Sequence, residues 1–206
     1  GHDPLFAPFP YEDSDIFQRW IMAGYELIQS RDSFVYHLTC RGHRWNDQIQ
    51  KDDDYYKVAS KKAARNYLRK WGTWIENDSY QYPIITPKYD IGFIIKNCNL
   101  DLLKVLEPWA STCYVDFNYT DYLYIEKDNT LMDLNERVKP YENEKNNEIL
   151  VEIDGRTLNN DDFKIIQQLA KIIQDSGEVG RFTLGNLNIE IVQMNEYQNN
   201  LINVER

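Results

Sequence analysis

The strongest constraint on the fold lies in residues 89–206, where the hydrophobic period switches repeatedly between strand and helix. YDIGFIIKN reads as a strand, NLDLLKVLEPW as a helix and STCYVDF as a second strand. A helical stretch over 119–138 follows, with Thr130 as a candidate N-cap inside it. After the charged loop Tyr141 to Asn147, EILVEIDG reads as a strand and NNDDFKIIQQLAKIIQ as a helix. Phe163, Ile166, Leu169, Ala170 and Ile173 recur on one face of that helix. Two closing strands, near 179–184 and 188–193, flank Gly185-Asn186, a pair suited to a tight hairpin turn. This alternation predicts an α+β domain over 89–206, with a mixed or antiparallel sheet and helices on one face.

The N-terminal part has a different texture. Residues 1–10, GHDPLFAPFP, form a proline-rich, irregular lead-in. Residues 13–24 carry Ile16, Phe17, Trp20 and Ile21 at helical spacing, which predicts a helix with that stripe buried and Gly24 ending it. Asp15 and Arg19, four apart, are placed to pair on the opposite side. Residues 25–30 and 33–38 read as short strands, with Arg31-Asp32 as the turn. A second helix is expected over 54–71, opened by Asp52, Asp53 and Asp54, whose charge suits a helix N-terminus. Its apolar face is Tyr56, Ala59, Ala63, Tyr67 and Trp71. Its other face, Lys57, Lys61, Lys62, Arg65, Arg69 and Lys70, reads as solvated. Asn77, Asp78, Pro83 and Pro87 mark a linker, so the expected division is 1–75, a linker over 76–88, and 89–206.

Composition narrows the function classes. A net charge of −10 and an isoelectric point near 4.8 disfavour binding to nucleic acid. No apolar run reaches the roughly 20 residues that span a bilayer. Cys40, Cys98 and Cys113 lack C-x-x-C spacing, which fits free thiols in a reducing, cytoplasmic setting better than zinc or disulfides. Glycine-rich phosphate loops and a G-x-S-x-G nucleophile elbow are absent from the sequence.

The chemistry-bearing stretch is YEDSDIFQRWIMAGYELIQSRDSFVYH, residues 11–37. Glu12, Asp13 and Asp15 stand at a helix start and His37 follows on a strand-like run. Carboxylates and an imidazole brought together can take a proton from a nucleophile or hold a divalent metal. The same acidic residues also suit the helix dipole and free N–H groups of a helix start. The order E-D-x-D, then Arg19, Gly24, and Tyr36-His37, resembles the acidic segment of family 2 glycosyltransferases, which have the GT-A fold. Arg41, Arg44 and Trp45 match the R-x-x-R-W motif of processive members of that family. The resemblance covers residues 3–45 and extends toward 75; residues 89–206 lie outside it.

What the resemblance implies is specific. Asp13 is the expected catalytic base of an inverting transfer, with Glu12 and Asp15 orienting it or the acceptor. His37 is the expected metal or diphosphate ligand, and Arg19, Arg41, Arg44 and Trp45 are the expected substrate contacts. The intact enzyme takes a nucleotide-sugar donor, a glycan or other hydroxyl acceptor, and Mg²⁺ or Mn²⁺. Since that segment lies in the second half of such catalytic domains, the chain is expected to be a C-terminal portion, inactive alone and without tightly bound metal. Two other readings stand beside it: a non-catalytic carbohydrate- or protein-binding module, and a metal-dependent hydrolase using the carboxylates and His37.

Overall fold

The computed structural model describes residues 1–8, 10–36 and 53–196, with the side chains of Asp53 and Asp54 excepted. Helices α1 (Glu12–Met22) and α2 (Asp53–Trp71) precede the α/β alternation. The rest runs β1 (Ile91–Lys96), α3 (Leu100–Leu106), β2 (Thr112–Val115), α4 (Thr120–Glu126), α5 (Leu134–Arg137), β3 (Val138–Pro140), β4 (Ile149–Asp154), α6 (Asn160–Ser176), β5 (Gly180–Leu184) and β6 (Leu187–Ile191). Short 3₁₀ turns occur at Pro4–Phe6 and Glu107–Trp109.

The strands form one mixed sheet in the order β3-β2-β1-β4-β6-β5. The first four are mutually parallel; β6 runs antiparallel to β4 and to β5. The α+β class expected from the sequence is therefore present in its coarse form. Period two assigns the faces. Phe93 pairs with Cys113 and Val151, and Val151 with Ile189. All four are buried in one core with Leu103 and Leu106 of α3, Tyr122 of α4, and Ile166, Leu169, Ala170 and Ile173 of α6. The helices thus share one face of the sheet, as the alternation predicts.

Across the other face runs the return from β3 to β4. Asn147 ties it down: its Nδ2 donates to Asp90 Oδ1 at 2.6 Å and its Oδ1 accepts from Tyr114 Oη at 2.9 Å. A Cβ on residue 92 would collide with the Asn147 side chain, so Gly92 is what lets this loop lie flat on β1. The 119–138 stretch is broken into two short helices, and Asp133 caps the second of them in place of the expected Thr130. α4 closes with Lys127 N donating to Leu123 O; Thr130 Oγ1 then accepts from Met132 N in the intervening turn, and Asp133 Oδ1 accepts from Asn135 N to start α5.

Residues 25–36, expected to form strands, do not enter a sheet. Tyr25, Ile28, Phe34, Val35 and Tyr36 are exposed, so their alternation has no buried side to satisfy. The basic face of α2 is not uniformly solvated either. Arg69 is 1 % exposed and Lys70 6 % exposed. Arg69 grips Glu107 through Nε at 3.0 Å and Nη2 at 2.7 Å, and reaches Glu126 at 2.6 Å. Arg137 pairs with Glu107 from the other side, Tyr122 Oη donates to it at 2.8 Å, and Arg65 Nε meets Glu126 at 2.9 Å. Burial alone would raise the Glu107 carboxyl, but the guanidiniums of Arg137 and Arg69 hold it down at about 2. Leu68 of α2 belongs to the sheet core as well. The segment read as a linker carries anchors: Thr86 and Pro87 are buried, and Lys88 Nζ donates to the last carbonyls of α2, Arg69 O at 2.5 Å and Lys70 O at 2.7 Å.

Candidate functional site

Helix α1 begins after Tyr11, which holds a left-handed φ of 84° and supplies no side-chain cap. Three acidic side chains in the first turn complement the free N–H groups there. The helix ends in a Schellman arrangement: Tyr25 N donates to Trp20 O and Gly24 N to Ile21 O, with Gly24 at φ 85°. Gly24 thus ends the helix as the sequence predicts.

The orientation of α1 differs from the expected one. Asp15, Ile16 and Gln18 are buried, whereas Phe17 and Trp20 are each 41 % exposed. Polar partners on α2 decide this. Asp15 Oδ1 receives Lys70 Nζ at 2.6 Å and Trp71 Nε1 at 3.0 Å, and Gln18 donates to Tyr67 Oη. Arg19 Nε closes on Asp15 Oδ2 at 2.8 Å, the i,i+4 pair read from the sequence, but in the interior. A buried carboxylate needs a full set of donors, and this face of α2 supplies them. Turning the Phe17–Trp20 stripe inward would strand Asp15, so the stripe is left outside.

The acidic residues therefore separate. Asp15 is enclosed and bonded to Arg19, Lys70 and Trp71. Arg19 is occupied by Asp15 and by Gly1 O at 2.6 Å. Glu12 is half-buried, one of its oxygens enclosed without a hydrogen-bond partner among the described residues. Asp13 alone of the three is exposed, and its carboxylate makes no hydrogen bond or ion pair with the described residues. It lines a hollow of about 180 Å³ with Ser14, Phe17, Gln18, Ile75, Asn77 and Gln81. His37, Arg41, Arg44 and Trp45 lie outside the described residues, as does Asp52.

Beside this hollow lies a larger trough of about 640 Å³, walled by Phe17, Trp20, Tyr25, Ile28, Gln29, Gln81, Tyr82 and Pro83, among others. Phe17, Gln81 and Pro83 border both. The far wall is a tight loop over 76–84. Asp78 Oδ1 accepts from Tyr80 N at 2.8 Å and Tyr82 N at 2.9 Å, and Asn77 bridges Pro83. Gln81 sits at φ 68°, a left-handed setting that costs a non-glycine residue about 1–3 kcal/mol. Gln29 Nε2 ties the segment after α1 to this loop through Tyr80 O at 2.8 Å. The trough eluded sequence reasoning because Phe17 and Trp20 carry a core-like spacing. The available signal was Asp15 and Gln18, a competing polar stripe whose partners lie some fifty residues away on α2.

The sheet offers a second conventional place for a ligand, the carboxyl ends of its parallel strands. There the protein's own carboxylate takes the anion position: Asp116 accepts from Asn97 N at 2.6 Å and Cys98 N at 2.9 Å. Burial, then the Asp116 charge, push the Cys98 thiol up to about 12, far from a nucleophile's range. Among the described residues no three His, Cys, Asp or Glu side chains converge as a metal site. None of their helices is long and apolar enough to cross a membrane.

No protein family matches the chain, and neither a curated protein nor a solved structure is similar enough to count as a match.

Proposed function

We propose that the chain forms the acceptor side of an inverting glycosyltransferase, with Asp13 as the base. The observation that carries this is the contrast within one helical turn: Asp15 is consumed by the fold, while Asp13 stands exposed at the mouth of a hollow with no partner among the described residues. Asp13 makes no capping hydrogen bond among the described residues, which leaves its carboxylate oxygens free to accept a proton. In the transfer, the acceptor hydroxyl oxygen forms a bond to the anomeric carbon as the carbon–oxygen bond to the leaving diphosphate breaks. Asp13 takes the hydroxyl proton in the same step. Attack from the side opposite the leaving group inverts the anomeric centre. A divalent cation, when bound, neutralises the diphosphate. The resemblance assigns such a cation to His37, which lies outside the described residues.

The test is Asp13→Asn in the intact enzyme. A lost general base lowers kcat by about 10²–10⁴-fold. The thermal midpoint should stay within a few degrees, because Asp13 makes no hydrogen bond or ion pair with the described residues and contributes only its charge to the start of α1. Wild-type turnover by Asp13→Asn would refute the assignment. The exposed aromatic trough also suits a non-catalytic carbohydrate-binding module, and that second reading expects binding with no transfer at all.

A further inference from the structure

We infer that the trough between α1 and the 76–84 loop binds a neutral oligosaccharide, and, on the reading just proposed, that this is the acceptor chain whose end hydroxyl reaches Asp13.

The lining chemistry points to this occupant. Phe17 and Trp20 form a tilted pair with ring centroids 5.7 Å apart, and both stay 41 % exposed. Tyr25, 68 % exposed, and Tyr82 add further ring surface. Flat aromatic faces pack against the C–H faces of pyranose rings, and the hydroxyls at the ring edge are left for polar partners. Between the rings stand groups that both donate and accept. The Gln81 side-chain amide makes no hydrogen bond with the described residues, and Gln29 keeps its carbonyl oxygen after donating to Tyr80 O. Paired donors and acceptors of this kind match vicinal hydroxyls. Gln81 is held in its left-handed backbone setting at the junction of the two hollows, where a sugar entering Asp13's hollow would pass.

Charge disfavours anionic ligands. Among the described residues that line the trough, Glu26 is the one carboxylate, and none is a lysine or arginine. A phosphate, nucleotide or acidic glycan would find no cation among the described lining residues and would meet a chain of net charge −10. A purely apolar ligand would leave the amides unpaired. At about 640 Å³ the trough exceeds a single ring and suits a short chain.

The experiment is titration calorimetry of the purified chain, without donor, against neutral tetrasaccharides built from glucose, galactose, mannose and N-acetylglucosamine. At least one should bind, and Trp20→Ala and Gln81→Ala should each weaken it about tenfold or more. Tyr124→Ala, an exposed aromatic on α4, should leave it unchanged. Both trough positions are solvent-facing, so circular dichroism and thermal melting should match the wild type. Absence of binding by every tetrasaccharide overturns the inference. So does binding that ignores Trp20 and Gln81, or a dimer that Trp20→Ala dissociates. Since binding is read without donor, it stands or falls apart from Asp13. Transfer lost in Asp13→Asn with no glycan bound would sink the trough alone, and glycan bound with full turnover in Asp13→Asn would sink the base alone.

Discussion

Glu107 shows what a single residue can be asked to hold. Its side chain is wholly buried, and two arginines from distant parts of the chain, Arg69 and Arg137, converge on it. Removing it leaves Arg137 without a carboxylate among the described residues and Arg69 with Glu126 alone, and takes a counter-charge from Arg65 as well. Glu107→Gln should therefore destabilise the protein by about 3–5 kcal/mol, measured by urea unfolding at neutral pH. The pH dependence follows from the same geometry. The folded carboxyl titrates at about 2, below its ordinary 4.5. A depressed folded value means the stabilisation is complete above 4.5 and disappears as the pH falls toward 2. Wild-type stability should drop through that window, and Glu107→Gln should show a shallower drop. Equal slopes would show that Glu107 is not the group titrating.

At the scale of elements, propensity and capping explain most of what formed. Helix α6 has the fullest local specification. The Asn159 side chain accepts from Asp162 N at 3.1 Å, and Asp162 Oδ2 returns to Asn159 N at 3.0 Å, a capping box that fixes the start. Gly177 at φ 62° closes the far end. Asp162 also reaches the β5–β6 turn, accepting from Asn186 N at 2.9 Å. Asn159→Ala should cost about 1 kcal/mol in thermal or urea unfolding. A neutral result would mean that packing of Ile166, Leu169 and Ile173 alone sets the helix. Such elements were legible in the sequence because their signals are local: a period, a cap and a glycine within one stretch. Residues 25–36 had the period and lacked a partner. Alternation describes a surface that fits a half-buried strand, and the described strands of the sheet pair only with one another.

At the scale of the whole molecule, α2 binds the N-terminal helices to the sheet layer. Leu68 lies in the sheet core, while Tyr67 and Trp71 pack with Leu5 and Phe6 in a smaller cluster. Between these two clusters Arg69 spans to Glu107. Two parts joined by a buried ion network and a shared core residue should unfold together. Calorimetry should show a single transition whose van't Hoff and calorimetric enthalpies agree. Two separated transitions would show independent units on either side of residues 76–88.

The sequence by itself determined the alternation of strands and helices after residue 88, the faces of α6, the Gly24 stop and the placing of acidic residues in the first turn of α1. Each is set by neighbours along the chain, through period, capping and backbone freedom. Only the tertiary structure decided which of those acidic residues meets solvent. Asp13 and Asp15 are chemically alike and two positions apart; Lys70 and Trp71, more than fifty residues on, draw one of them inside and leave the other, with Phe17 and Trp20, facing out. The cost of burying a charge without partners makes that choice, and the partners come from another part of the chain.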